Sequence, residues 1–219
     1  MSTMTASRRS RLIKRLIAAV FGITFVAAMF LNTTFLSSED SVAAGPELFS
    51  AEGYAEENFA GVIVPWVQEN AVPAADLYEA IAADVDAAGE EFGGRAEGSS
   101  WAFPVSFTGV AGEVNPTNGY LPVTIDGLPD DVQVIVQTGP PVNGAALRDV
   151  TGEIAFGMFK NQMEYQSVAV QLNNKVREVV LADVDGAALN GRTISVTGAF
   201  SYGNPAVWTV TPVEIGTEG

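Results

Sequence analysis

Between Asn161 and Ala182 apolar residues recur at Tyr165, Val168, Ala169, Leu172, Val176, Val179 and Val180. That 3.6-residue rhythm predicts an amphipathic helix with one buried stripe. Gln166, Gln171, Asn174, Lys175 and Glu178 fall on its other side. Asn161 is placed to accept from the amide of Glu164, whose carboxylate can reach back, as in a capping box. The run Asp183-Val184-Asp185-Gly186 ends the helix. Three segments with strand-like alternation precede it (Trp101–Val114, Tyr120–Ile125, Val132–Thr138) and two follow (Thr193–Phe200, Ala206–Val213). A βββ-α-ββ order is the plan of an OB-type barrel. The predicted fold class is therefore α+β, a five-stranded OB-like barrel with its helix between strands 3 and 4, and a split β-sandwich is the alternative. Gly109 and Gly112 suggest a bulge or bend in the first strand. The connection from Gly139 to Gly152 is long, with a short helical turn expected at Ala145–Arg148.

Upstream of the barrel the rhythm is helical again. Phe59, Val62, Ile63, Trp66 and Val67 share one face of a helix spanning Phe49–Asn70, which Pro65 should kink or split. A second, alanine-rich helix is expected over Asp76–Ala88, with Leu77, Ile81 and Val85 aligned, so that the two form a helical hairpin. Further back, Leu16–Leu31 is apolar throughout apart from Gly22 and Thr24, and continuing to Leu36 gives about the 20 residues needed to span a bilayer as a helix. Arg8, Arg9, Arg11, Lys14 and Arg15 precede it and hold the N-terminus in the cytoplasm by the positive-inside rule. The organisation expected is a basic tail and transmembrane signal-anchor over residues 1–36, a spacer and helical hairpin over 37–100, and the barrel over 101–219. The protein would be a single-pass component of a bacterial plasma membrane, held there through residues 16–36, with its C-terminal domain extracytoplasmic. The competing reading is a cleaved signal peptide, for which Ser41-Val42-Ala43 is a small-x-small site.

Composition narrows the chemistry. The 219 residues include no cysteine and no histidine. Thiolate nucleophiles, Cys-ligated zinc, iron–sulfur clusters, disulfides and the Ser-His-Asp triad are excluded. No cofactor is expected, and no P-loop, GxSxG or HExxH motif is present. All 26 acidic residues follow residue 35 with only six of the 11 basic ones, a formal balance of −20 there. Such a surface repels nucleic acid, which requires a cationic face. Acidity of this kind also keeps an exported domain soluble.

Five residues stand out as ligand or partner contacts. Arg148 and Asp149 lie together in the long loop, where a guanidinium fork suits sugar hydroxyls or carboxylates; the structural alternative is an ion pair that fixes the loop. Gln162 sits at the main helix N-terminus beside two residues that capping explains. Gln137 ends strand three. Trp101, with Phe103 and Phe107, makes either a stacking platform or core. Carboxylate pairs such as Asp84/Asp86, Glu90/Glu91, Asp130/Asp131 and Asp183/Asp185 are too numerous to single out a glycosidase dyad. Asp183-Val184-Asp185-Gly186 lacks the closing glutamate of a calcium loop, so no metal site is expected.

Gly139–Asp149 (GPPVNGAALRD), Ile154–Tyr165 (IAFGMFKNQMEY), Leu172-Asn173, Ser195–Phe200 (SVTGAF) and Trp208–Pro212 (WTVTP), together with Pro65 and Trp66, resemble an uncharacterised bacterial family of predicted periplasmic lipoproteins. The resemblance implies an envelope location and, because genes of the family often neighbour sugar ABC-transporter genes, a role in carbohydrate uptake. It supplies no catalytic residue. The chain departs from the family in lacking a lipid-bearing cysteine. The function expected is a membrane-anchored, non-catalytic extracytoplasmic binding or accessory protein whose partner is a small polar ligand or a sugar ABC-transporter component; the alternatives are a carbohydrate-active enzyme using an Asp/Glu pair and an OB-type nucleic-acid binder.

Overall fold

The computed structural model describes residues 49–217, and Phe49–Gly219 cluster as one compact unit. The basic cluster and the apolar segment before residue 37 lie outside the described residues. Among the described residues no helix is long and apolar enough to cross a membrane.

Five strands close into a barrel: β2 (Ala102–Ala111), β3 (Tyr120–Thr124), β4 (Gln133–Gln137), β5 (Thr193–Ser201) and β6 (Val207–Thr217). The order around the barrel is β2-β3-β4-β6-β5 and back to β2. Every pairing is antiparallel except β4 with β6, which is parallel. The barrel follows the OB plan expected from the element order, and the sandwich alternative is set aside. A two-residue strand, β1 (Val72–Pro73), lies parallel against Val105–Ser106 of β2.

Period-2 alternation sorts the strands into two faces. Phe103, Val105, Phe107, Leu121, Val123, Val134, Val136, Ile194, Val196, Phe200, Trp208 and Val210 form one buried cluster inside the barrel. Phe200 and Trp208 stack there with ring centres 4.6 Å apart. The inside is completed by Leu77, Ile81 and Ala88, from helices α3 (Ala74–Ala83) and α4 (Val85–Phe92). The single helix expected at Asp76–Ala88 is thus two, divided at Asp84. The Asp84 backbone turns extended and its carboxylate accepts from the amides of Asp86 and Ala87, capping α4.

A second cluster lies outside the barrel. Ala102, Ala199 and Val213 point outward from β2, β5 and β6 to meet Phe59, Ile63 and Val67, and Val168, Leu172 and Val176. Phe59 and Ile63 belong to the five-residue π-helical turn (Phe59–Ile63) that follows α1 (Ala51–Asn58), and Val67 to α2 (Val64–Asn70); α1 adds Ala55 to the cluster. The other three belong to α6 (Gln162–Lys175) and a π turn at Val176–Val180. Pro65 explains the first π turn: its ring crowds the carbonyl four residues back and it supplies no amide, so the ladder widens instead of breaking. The main helix starts as predicted, Asn161 Oδ1 accepting from the Glu164 amide at 2.9 Å. The returning Glu164 carboxylate accepts from the Lys160 amide rather than that of Asn161. The position of this helix is the surprise. It covers the barrel wall, while side chains of α3 and α4 pack with the inward strand residues.

Trp101 joins the two layers of α4 and β2. Its indole Nε1 donates to Asp86 Oδ1 at 2.9 Å, the Arg95 guanidinium lies 3.9 Å above the ring, and Gly89 lies beneath it. A Cβ on Gly89 would fall 2.2 Å from the indole. Ala in an exposed helix improves on Gly by up to about 1 kcal/mol, but overpacking here costs more. Gly89→Ala is expected to destabilise the fold by about 1–3 kcal/mol in urea unfolding; a stabilised variant would mean Trp101 does not pack on α4.

Candidate functional site

The connection after β4 contains most of the polar residues singled out above, and it folds into a closed lattice. Gln137 is 1% exposed. Its Nε2 donates to Thr211 Oγ1 at 2.9 Å and to the Asn143 carbonyl at 3.0 Å, and its Oε1 accepts from the Asn143 amide at 2.8 Å. Asn173 Nδ2 donates to the Gly144 carbonyl and Arg177 Nη1 to that of Pro140. The bonds of Gln137 to Asn143 satisfy backbone groups in the part-buried start of the loop. The loop is thereby tied to β4, β6 and α6.

Arg148 and Asp149 end the loop on a short helix, α5 (Ala146–Asp149), and both are buried. They pair with each other: Arg148 Nε donates to Asp149 Oδ1 at 2.7 Å and Nη2 to Oδ2 at 2.9 Å. Tyr165 of α6 completes the group. Its hydroxyl donates to Asp149 Oδ1 at 3.2 Å, and the guanidinium carbon lies 3.8 Å over its ring. Burial, followed by the Asp149 carboxylate, raises the Tyr165 pKa and keeps the phenol protonated. The fork that was a candidate for sugar hydroxyls is already filled by the neighbouring carboxylate, so the pair fixes the loop.

The remaining candidates lie apart from these. Gln162 is exposed and borders a shallow groove with Phe49, Ala51 and Met163. Trp101 is held by Gly89, Arg95 and Asp86, and Phe103 and Phe107 are core. The five residues do not converge on one site.

The open site is on the barrel wall that the helices leave bare. Tyr120, Pro122 and Thr124 of β3 and Gln133 and Ile135 of β4 face outward, with Pro122 opposite Ile135. The loop before β3 and the turn after it rise on either side, making a cleft of about 650 Å³, within the usual range for small-molecule sites. Leu128, Val132 and Ile135 supply apolar surface, and Glu113, Asp126 and Asp130 supply carboxylates. Asn115 and Asn118 turn their oxygens back to the amides of Thr117 and Tyr120. Their NH₂ groups remain as donors. No lysine or arginine lines the cleft. Among the described residues no group of three or more His, Cys, Asp or Glu is placed to hold a metal.

Sequence reasoning missed this cleft because no single residue in it is unusual. The available signal was Pro122 within β3. A proline is tolerated where its missing amide faces no ladder partner, and Pro122 lies next to the end of the short β2–β3 pairing.

The family model for predicted periplasmic lipoproteins (DUF2291) matches residues 23–216. The chain belongs to that family. Its location is accordingly extracytoplasmic and at the envelope. No curated protein matches it. Among solved structures it is similar to an OB-fold protein from Thermotoga maritima, at 15% identity and a TM-score of 0.59, over 78% of this chain and 100% of that one. At that identity the likeness is one of fold. Gly139–Asp149, Asn161–Tyr165 and Leu172-Asn173, the stretches that carried the resemblance, include the residues that join loop to helix. This DUF2291 member has no cysteine among its 219 residues, so no thioether lipid can be attached to them.

Removing Arg148 should leave Asp149 buried and unpaired. Arg148→Ala is expected to cost about 3–5 kcal/mol of stability, and Arg148→Met with Asp149→Leu to recover most of that loss. A stable Arg148→Ala protein that no longer binds ligand would instead assign the pair to a binding site.

Proposed function

We propose that the protein is a membrane-anchored, non-catalytic accessory of a sugar uptake system that binds a neutral, sugar-like ligand on its β3–β4 wall. The observation that supports this is the lining of the cleft. One aromatic ring, amide donors, hydroxyls and carboxylates line it without a cation. Carboxylates and amides hydrogen-bond sugar hydroxyls, and an aromatic or aliphatic floor receives the apolar face of a pyranose. The absence of cations from the cleft disfavours phosphorylated ligands and nucleic acid, whose binding needs positive charge.

Thermal-shift screening against neutral mono- and oligosaccharides tests the reading. A ligand at 100 times its Kd should stabilise the fold by about 2.7 kcal/mol. Tyr120→Ala should abolish that shift while leaving the unliganded midpoint near the wild type, since Tyr120 is only half-buried. Failure of every neutral sugar would remove the ligand claim. Hydrolysis of a bound glycan would replace it with the alternative, a carbohydrate-active enzyme drawing its acid pair from Glu113, Asp126 and Asp130.

The partner is tested separately. Affinity purification of the full chain from detergent-solubilised membranes is expected to recover subunits of a sugar ABC transporter. Recovery of none would leave a ligand-binding protein without the uptake role.

A further inference from the structure

Three Asn-Gly pairs occur in the chain: Asn118-Gly119, Asn143-Gly144 and Asn190-Gly191. Such pairs are chemically labile, because the amide nitrogen of a residue with no side chain can close on the asparagine Cγ. The attack requires that amide to give up its proton, so an N–H engaged in a hydrogen bond is held back. The fold treats the three pairs differently. The Gly119 amide donates to the Asn115 carbonyl at 2.7 Å, and Asn118 Oδ1 accepts from the Tyr120 amide at 3.1 Å. The Gly191 amide donates to the Ala111 carbonyl at 2.7 Å. Among the described residues the Gly144 amide has no acceptor and the Asn143 side chain has no partner, and both residues are exposed. A Cβ on Gly144 would meet nothing within 4 Å, so the glycine is uncrowded.

We infer that Asn143 is a site of spontaneous covalent modification, where the chain closes to a succinimide and reopens as aspartate or isoaspartate. The Gly144 nitrogen, its proton lost to solvent, bonds to Asn143 Cγ. The bond from Cγ to the side-chain nitrogen breaks, and that nitrogen leaves as ammonia. Water then opens the ring. Cleavage at Cγ gives aspartate on an unchanged backbone. Cleavage at the main-chain carbonyl carbon gives isoaspartate, whose chain runs through the side chain and is longer by one carbon. The two products are unequal in this fold. The Asn143 amide donates to Gln137 Oε1 at 2.8 Å, its carbonyl accepts from Gln137 Nε2 at 3.0 Å, and the Gly144 carbonyl accepts from Asn173 Nδ2 at 2.9 Å. Isoaspartate turns the Asn143 carbonyl into a free carboxylate and displaces Gly144 from Asn173, so it loosens the loop from β4 and α6. Aspartate keeps all three bonds.

The full chain, purified in detergent, is aged at neutral and at alkaline pH, both folded and in urea. A protease that cuts before aspartate then places the three asparagines in separate peptides, 86–125, 131–148 and 185–219. The same protease cuts at a new aspartate and not at isoaspartate, which separates the products. In the folded chain Asn143 is expected to convert about fivefold or more faster than Asn118 and Asn190, the hold that one hydrogen bond exerts on its donor. The rate should rise with pH, and in urea the three should converge. The isoaspartate form should melt below the unaged protein and Asn143→Asp should melt with it. Asn143→Gln, whose longer side chain closes the ring far more slowly, should remove both the conversion and the low-melting fraction. Equal conversion of the three asparagines in the folded chain, or none at Asn143, would overturn the assignment. An isoaspartate form that melts with the unaged protein would overturn the loosening of the loop.

Discussion

The nine-residue antiparallel pairing of β2 with β5, from Ala102–Ser201 to Val110–Thr193, is the contact on which the rest of the molecule depends. It closes the barrel, and closure forces each strand to commit one side chain in two to an interior that can accept no water. Leu77 and Ile81 of α3 and Ala88 of α4 join the same buried cluster as the inward strand residues, whereas the preceding α1–α2 segment packs in the outer cluster, so the expected helical hairpin does not form. A fully buried leucine or phenylalanine contributes about 1.5–3 kcal/mol, so α3 and α4 belong to the core as the strands do. The close approach of Gly198 to the Thr211 carbonyl, at the bulge between β5 and β6, is part of the same closure.

The main helix packs outside the barrel, and this divides the barrel surface into two kinds of wall. On β2, β5 and β6 the outward residues Ala102, Ala199 and Val213 are covered by α1, α2 and α6. Over β3 and β4 the outward residues are Tyr120, Pro122, Thr124, Gln133 and Ile135, and nothing covers them. On the covered side, Gln137, Asn173 and Arg177 tie down the loop after β4. On the bare side the polar groups of β3 and β4 face solvent.

The same division explains which readings of the sequence held and which did not. Alternation identified the five strands, because burial on one face repeats every second position. The cap at Asn161 and the disruption at Pro65 are local chemistry and were legible for that reason. Arg148 and Asp149 stand out in the sequence because a guanidinium fork in the long loop suits sugar hydroxyls or carboxylates, and Gln137 because it ends strand three. In the fold the first two pair with each other and Gln137 with Thr211 and Asn143. Asp149 is adjacent in sequence to Arg148, yet only the fold brings Tyr165 onto the same carboxylate. Of the cleft residues only Asp130 stands out in the sequence, as a member of one of many carboxylate pairs, since asparagine, glutamine and tyrosine at turns and strand edges are commonplace.

The sequence by itself determined the barrel order, the helix between strands 3 and 4, the acidic outer surface, the apolar leader and the exclusion of thiol and imidazole chemistry. Each of these depends on composition or on residues within a few positions of one another. The tertiary structure decided which helix fills the barrel, which wall stays bare, and whether a polar side chain is spent on its neighbours or left open. Those outcomes turn on contacts between segments far apart in the chain, such as Gln137 with Thr211 and Leu77 with the barrel interior. No local pattern encodes them, because the same alternating strand can present its polar face to a helix or to solvent.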